Sequence, residues 1–144
     1  MSVLRSIGAL LAGVAVGATV NMALVTVAPN VIPPPEGVDV TDMESIAASI
    51  HLFEAKHFVF PFLAHALGTL SGSLVGYLIA ARRKEIIAYV IGALSFAGGI
   101  AASRMIPAPV TFVVIDLVFA YFPMAWLAVR LGVAAGRRHR GASA

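Results

Sequence analysis

Four apolar runs dominate this chain, and each is long enough to cross a lipid bilayer. They cover about residues 7–28, 58–81, 86–103 and 110–131. A membrane-spanning helix needs roughly 20 mostly apolar residues. With 60% hydrophobic and 12% charged residues, the chain cannot be a water-soluble domain, because a small domain cannot bury so much apolar surface. The sequence therefore predicts a single all-α domain over residues 1–144, a polytopic membrane protein with four transmembrane helices.

The distribution of charge predicts the orientation. Basic residues gather on one side of the four spans: Arg5, Arg82, Arg83, Lys84, Arg130, Arg137, Arg138 and Arg140. Acidic residues gather in the loop over residues 29–57. Because cytoplasmic loops of membrane proteins are enriched in Lys and Arg, we expect both termini in the cytoplasm and this loop outside. The basic tail Arg137–Arg140 is expected to contact anionic lipid, and its pattern does not indicate nucleic acid binding.

The outer loop carries its own structural signals. Three consecutive prolines after Ile32 predict a stiff extended segment, and Glu36-Gly37 predicts a turn. Thr41 and Glu44 have the spacing of a capping box at a helix start. An apolar stripe at helical spacing follows, so we expect an amphipathic helix over about residues 42–56 on the membrane surface or capping the bundle. The stripe consists of Met43, Ile46, Ile50 and Phe53.

Small residues recur at every fourth position in three of the spans. This places them on one face of each helix, where they allow the backbones of two helices to approach closely in lipid. The face has two interpretations: packing within this bundle, or docking against another chain. The glycines concerned are Gly13, Gly17, Gly68, Gly72, Gly76 and Gly99.

A proline interrupts the fourth span. Pro123 removes one backbone hydrogen bond, so the sequence predicts a kink near Phe119. Trp126, beyond the proline, fits an anchor at the cytoplasmic interface.

Three polar residues lie inside the spans at one predicted depth. Asn21, His65 and Asp116 all fall about 10 Å below the outer surface, at 1.5 Å per helical residue. Because buried charge is costly in lipid, we expect Asp116 to face the bundle and to pair with His65, Asn21 or Arg104. One interpretation is a satisfied polar network that sets the helix register. The other is a proton-accessible or ligand-binding site that opens outward, since His and Asp can exchange a proton.

A second group of polar residues suggests a metal site. His51, Glu54 and His57 are spaced three apart, and zinc could bind them together with His65 from below. The alternative is a polar face at the membrane interface. The chain has no cysteine, which excludes thiolate ligands, and no Ser/His/Asp or nucleotide-binding motif is present. We therefore predict no cofactor, and a metal ion at these residues stays an alternative to the polar face.

The segment VIPPPEGVDVTDMESIAASIHLFEAKHFVFPFLAHALGTL, residues 31–70, resembles an uncharacterised family of small four-helix bacterial integral membrane proteins. The resemblance continues through the Met105–Pro109 run and Asp116-Leu117. It implies four transmembrane helices and a bacterial inner membrane, with the outer loop in the periplasm or outside the cell. It implies no activity and no site residue.

These observations support three functional hypotheses. The first is a non-enzymatic accessory or structural subunit, which packs through its small-residue faces into a larger membrane complex or a homo-oligomer. The second is a small-solute or proton-coupled transporter or binding protein with an outward-facing site at His65 and Asp116. The third is a metal-dependent membrane enzyme.

Overall fold

The computed structural model describes residues 2–141, and residues 3–137 with their side chains. Within that part of the chain the fold is all-α and has no strand. Four stretches are long and apolar enough to cross a membrane: Val3–Val31, Ala55–Ile79, Lys84–Met105 and Val110–Arg137. This confirms the predicted fold class. The helices are α1 Ser2–Val31, α2 Met43–Ser49, α3 Val59–Ile79, α4 Lys84–Met105, α5 Val110–Phe119 and α6 Phe122–Gly141.

The helix α3 is the centre of the bundle, and α1, α4 and α6 all pack against it. We call the end of the bundle that carries the loop 32–58 the loop end, and the end with the turn 80–83 the turn end. At the turn end the Nε atom of Arg5 donates a hydrogen bond to the carbonyl of Ile79, at 2.8 Å. In that turn Arg83 adopts a left-handed conformation (φ 50°) just before α4 begins.

Glycines bring α1 and α3 into backbone contact. A Cβ atom added at Gly72 would lie 2.6 Å from the carbonyl oxygen of Gly13, and one at Gly17 would lie 2.8 Å from the carbonyl oxygen of Gly68. At Gly76 an added Cβ would collide with the side chain of Ile91 from α4. The small-residue faces of the first two spans are therefore used within the bundle, and they are not free for another chain.

Small side chains also set the packing of α6 on α3 and α4. Ala125 and Ala128 are fully buried, and Tyr77 lies directly against Gly132, where a Cβ atom would collide with its ring. The hydroxyl of Ser73 donates to the carbonyl of Ala88 at 3.1 Å, which links α3 to α4. In lipid such close packing and interhelical hydrogen bonds replace the hydrophobic effect as the force that holds helices together.

The fourth span is broken rather than merely bent. The helix α5 ends at Phe119, and α6 begins at Phe122 with Pro123 in its first turn. Proline is tolerated there because the first N–H groups of a helix have no partner within it. The break agrees with the position predicted for the kink. Trp126 is more than half exposed, and the Arg130 guanidinium lies 5.5 Å from its ring.

The loop differs from its prediction in two respects. The amphipathic helix is short, Met43–Ser49, and a 3₁₀ turn over Ile50–Leu52 and another over Ala55–Phe58 follow it. Its N-cap is Asp42, whose carboxylate accepts from two backbone N–H groups, whereas Thr41 bonds to Asp39. A carboxylate is at least as good an N-cap as a hydroxyl, which explains the shift by one residue. The turn at Glu36-Gly37 is present, and Gly37 has a φ of +79°.

Candidate functional site

A hydrogen-bonded pair, His65 and Asp116, joins α3 to α5 inside the bundle. The Nδ1 atom of His65 lies 2.9 Å from both carboxylate oxygens of Asp116. Asp116 is only 4% exposed, and the His65 side chain is 23% exposed. Each residue lies about 10 Å from the start of its helix at the loop end. Of the three partners considered for Asp116, the structure therefore selects His65.

Tyr121 completes this network, and sequence reasoning missed its role. Its hydroxyl donates to Asp116 Oδ2 at 2.8 Å, and the residue is 2% exposed. In a continuous helix two residues five apart point about 140° away from each other. The break between α5 and α6 removes that constraint and turns Tyr121 towards Asp116. The sequence signal for this contact is Pro123, because a helix break just before it lies close to both Asp116 and Tyr121.

Gly99 makes room for the network on the side of α4. A Cβ atom added there would collide with the Tyr121 hydroxyl, so only glycine allows the phenol to lie against α4. The His65 ring lies 5.8 Å from the Tyr121 ring, and Phe96 meets that ring edge-on at 5.8 Å. Residues of α3, α5 and the break before α6 therefore form the network, and α4 packs against it. Gly99 packs inside the chain, as the glycines between α1 and α3 do.

Two cavities meet at His65. The first, which we call the loop-end cavity, has a volume of about 230 Å³ and lies beneath the amphipathic segment of the loop. Ile46 and Ile50 form part of its roof, whereas His65 and Asp116 lie in its wall. The rest of its lining is mostly apolar: Val25, Phe53, His57, Phe58, Pro61, Gly99, Ala102, Ser103, Ile106, Ala108, Phe112, Val113 and Leu117.

The second cavity is a groove between α1 and α4 with α3 as its floor, and we call it the lateral groove. Its volume is about 390 Å³. His65 and Gly99 line both cavities, so the imidazole stands between them. The groove is lined by Gly13, Val14, Gly17, Ala18, Asn21, Met22, His65, Gly68, Thr69, Ile91, Leu94, Ser95, Gly98, Gly99 and Tyr121.

The other two predicted partners of Asp116 lie elsewhere. Asn21 lines the lateral groove beside Gly68, where a Cβ atom would lie 3.2 Å from the Cβ of Asn21. It shares the groove with His65 but makes no hydrogen bond to the network among the described residues. Arg104 is exposed in the last turn of α4, and among the residues with described side chains it has no ion pair.

The residues considered for a metal ion do not form a ligand set. Among the described residues there is no group of three or more His, Asp or Glu side chains placed to hold a metal ion. His57 Nδ1 accepts from the Glu54 backbone N–H at 2.9 Å, and Nε2 lies 3.1 Å from the Pro33 carbonyl. Glu54 caps the turn before α3 and pairs with Lys56 at 3.1 Å. The side chains of Glu54 and His57 thus hold the loop against the start of α3, whereas His51 is exposed.

The basic tail is only partly described. The backbone is helical to Gly141, but the side chains of Arg138, His139 and Arg140 lie outside the described residues. The predicted contact of this tail with anionic lipid therefore stays a prediction.

Comparisons with known proteins identify no relative of this chain. No family model, no curated protein and no solved structure matches the chain. The resemblance to a bacterial membrane family is therefore unsupported.

The chemistry available at the site is that of a proton acceptor held by a carboxylate. An ionised carboxylate can only accept hydrogen bonds, so both His65 Nδ1 and the Tyr121 hydroxyl donate to Asp116. The Nε2 atom of His65 has no partner among the described residues and is the atom that can gain or lose a proton. Histidine is the side chain best suited to such exchange near neutral pH.

Proposed function

We propose that the protein is a proton-coupled membrane transport protein in which the His65–Asp116 pair carries the proton. One observation carries the proposal: a nearly buried carboxylate holds the imidazole through Nδ1, while the same imidazole lines cavities on two sides. A network that only set the helix register would need no such access. Ionisable residues within membrane spans commonly mark proton or substrate paths.

The loop-end cavity is the proposed entrance. It lies beneath the 3₁₀ turns and α2, and it reaches both His65 and Asp116. Under the positive-inside rule this end faces outward, and for a bacterial inner membrane it faces the periplasm. A small solute that enters the cavity would meet the pair directly, so its binding and the protonation of His65 would be linked.

Proton flux into proteoliposomes tests the proposal. Purified protein is reconstituted around a trapped pH-sensitive dye, and an inward pH difference is imposed. We expect flux above that of protein-free liposomes, and at least about a tenfold loss in His65→Gln and in Asp116→Asn, as for removal of a positioned proton-transfer group.

His51→Gln is the matched control, because His51 is exposed and outside the network. It should retain the wild-type rate. Each variant is accepted only if its thermal unfolding in detergent stays cooperative. Wild-type flux equal to that of empty liposomes, or unchanged flux in both site variants, would contradict the proposal.

A second candidate function is an accessory subunit of a larger membrane complex or a homo-oligomer. The observation that favours this function is the exposed surface of α1, which packs on α3 along one face and leaves its other faces exposed. Val3, Leu4, Leu11 and Met22 are more than 60% exposed. Lipid can cover such a face equally well, which is why this function ranks second. The glycine faces do not favour it, because they pack within the bundle.

Native mass spectrometry in mild detergent tests this second function. A stoichiometric foreign subunit, or a defined homo-oligomer, would support it. Leu11→Ser should then weaken the assembly, because the side chain is exposed on α1. A monomer in which only lipid is bound would contradict it.

A further inference from the structure

We propose that the lateral groove is a binding site for a lipid-soluble molecule with an uncharged hydroxyl or carbonyl head. Such a ligand would enter from the bilayer between α1 and α4, with its head towards α3 and its apolar chain in lipid. The inference adds a ligand site to the proton site proposed above, and it stands without that proposal.

The mouth of the groove opens at mid-membrane. Its rim is formed by Val14 and Met22 of α1 and by Leu94 and Gly98 of α4, and all four are exposed. Val14 and Leu94 lie near the middle of their helices. A groove that opens there faces the hydrocarbon core, so molecules dissolved in the bilayer reach it without crossing water.

An unpaired hydroxyl lies at the floor of the groove. Thr69 is 2% exposed, and its Oγ1 atom is buried with no hydrogen-bond partner among the described residues. By contrast, Ser71 on the same helix bonds to the Leu67 carbonyl at 2.7 Å. Thr69 lines the groove, but its Oγ1 atom is covered, so the side chain must turn before a ligand oxygen can give it the partner that the protein does not.

The remaining polar groups indicate what head would fit. Asn21, Ser95 and the free edge of His65 line the same space, and together with Thr69 they offer both donors and acceptors. No Lys, Arg, Asp or Glu lines the groove among the described residues, and Asp116 lines the loop-end cavity instead. A charged head would therefore lose its solvation without finding a counter-charge, whereas a hydroxyl or a carbonyl would find partners.

The size of the groove fits this class of ligand. Its volume of about 390 Å³ lies within the range of ligand pockets, roughly 300–1,000 Å³. Gly98 contributes no side chain to its rim, and a Cβ atom added there would meet nothing within 4 Å. Ile91 and Leu94 provide apolar contact for the start of a chain.

Photo-crosslinking in phosphatidylcholine liposomes tests the proposal. The probe is a long-chain primary alcohol with a diazirine in its chain, and its comparison is the same chain with a choline head. Labelled peptides are located by mass spectrometry. We expect the alcohol to label groove peptides from α1 and α4, and the choline probe to label the outer surface of the bundle without this preference.

Two pairs of variants distinguish binding in the groove from general contact with lipid. Gly98 and Gly8 both have open space around an added side chain, but only Gly98 lines the groove. We expect Gly98→Leu to reduce groove labelling at least about tenfold and Gly8→Leu to leave it unchanged. Thr69→Val should reduce it several-fold, whereas Thr111→Val, on an exposed residue outside the groove, should not.

Competition identifies the head. An excess of unlabelled long-chain alcohol, or of a quinone with an isoprenoid chain, should reduce labelling; the stronger competitor distinguishes a hydroxyl head from a carbonyl head. Equal labelling of the two Gly→Leu variants, equal labelling by the choline probe, or competition by neither molecule would overturn the proposal. So would a foreign polypeptide crosslinked at the groove in native membranes and lost in Gly98→Leu.

Discussion

A single hydroxyl decides how Asp116 is held. Without Tyr121 the carboxylate would keep only the imidazole of His65, and Oδ2 would lose a donor at a site that is 4% exposed. Interhelical hydrogen bonds in membrane proteins contribute about 0.6 kcal/mol on average and up to about 1.7 kcal/mol. Bonds to a charged group lie at the upper end of that range. The Tyr121 hydroxyl therefore positions the hydrogen-bonded pair of His65 and Asp116.

Tyr121→Phe should lower the free energy of unfolding by about 1–2 kcal/mol, since the ring packing is retained and only the hydroxyl is lost. Equilibrium unfolding in mixed detergent measures this difference. Tyr89→Phe is the control, because Tyr89 is 36% exposed on α4 and outside the network. An equal effect of the two substitutions would show that the Tyr121 hydroxyl does not stabilise the fold.

Thr69→Val should not destabilise the delipidated protein, in contrast to Tyr121→Phe. It removes a buried hydroxyl that has no partner, so the free energy of unfolding should be unchanged or should rise by up to about 1 kcal/mol. Thermal unfolding in detergent measures it. A clear loss of stability would mean that Oγ1 has a partner in the folded protein and is not free to bind a ligand.

At the scale of elements, the contact of α1 with α3 depends on missing side chains. Gly72→Ala would place a Cβ atom 2.6 Å from the Gly13 carbonyl, so α1 must move. Overpacking of this kind costs about 1–3 kcal/mol, and we expect that loss in detergent unfolding. Gly98→Ala meets nothing within 4 Å and should be neutral. Equal stabilities would contradict the tight α1–α3 contact.

The loop has a pH-sensitive turn. The Thr41 hydroxyl and N–H both donate to Asp39 and hold the pKa of that carboxyl below its usual value. Because the pKa is lowered by the fold, the stabilisation is present above the pKa of a free aspartate and is lost as the pH falls through the lowered value. Thr41→Val should raise the pKa of Asp39, measured by carboxyl NMR titration. An unchanged pKa would mean that the hydroxyl does not bond to it.

At the scale of the whole molecule, charge predicts the orientation. The acidic loop and the basic turn lie at opposite ends of the bundle. The chain has no cysteine, so Glu36→Cys and Glu85→Cys each provide a unique thiol at an exposed position. In intact cells an impermeant maleimide should label Glu36→Cys and not Glu85→Cys. Labelling of Glu85→Cys and not of Glu36→Cys would show that the loop end faces the cytoplasm, which would contradict the proposed entrance.

The fold was predictable because its signals are long and local. Spans of roughly 20 apolar residues and a proline within the last of them were enough to predict the four spans and the place of the break, although the sequence predicts a kink there and not two separate helices. The pairing of His65 with Asp116 was one of three alternatives, since sequence gives depth but not helix order. The role of Tyr121 was not predictable, because it depends on how α6 restarts after the break. The use of the glycines inside the bundle depends likewise on which helices are neighbours.

Asp116 holds His65 through Nδ1, and Nε2 has no partner among the described residues. This arrangement is tested by ¹⁵N NMR of histidine-labelled protein in lipid nanodiscs, with the His65 signals assigned by their absence in His65→Gln. We expect Nδ1 to carry a hydrogen, and the Nδ1 signal to shift in Asp116→Asn. A bare Nδ1, or an Nδ1 signal that is unchanged in Asp116→Asn, would contradict this pairing.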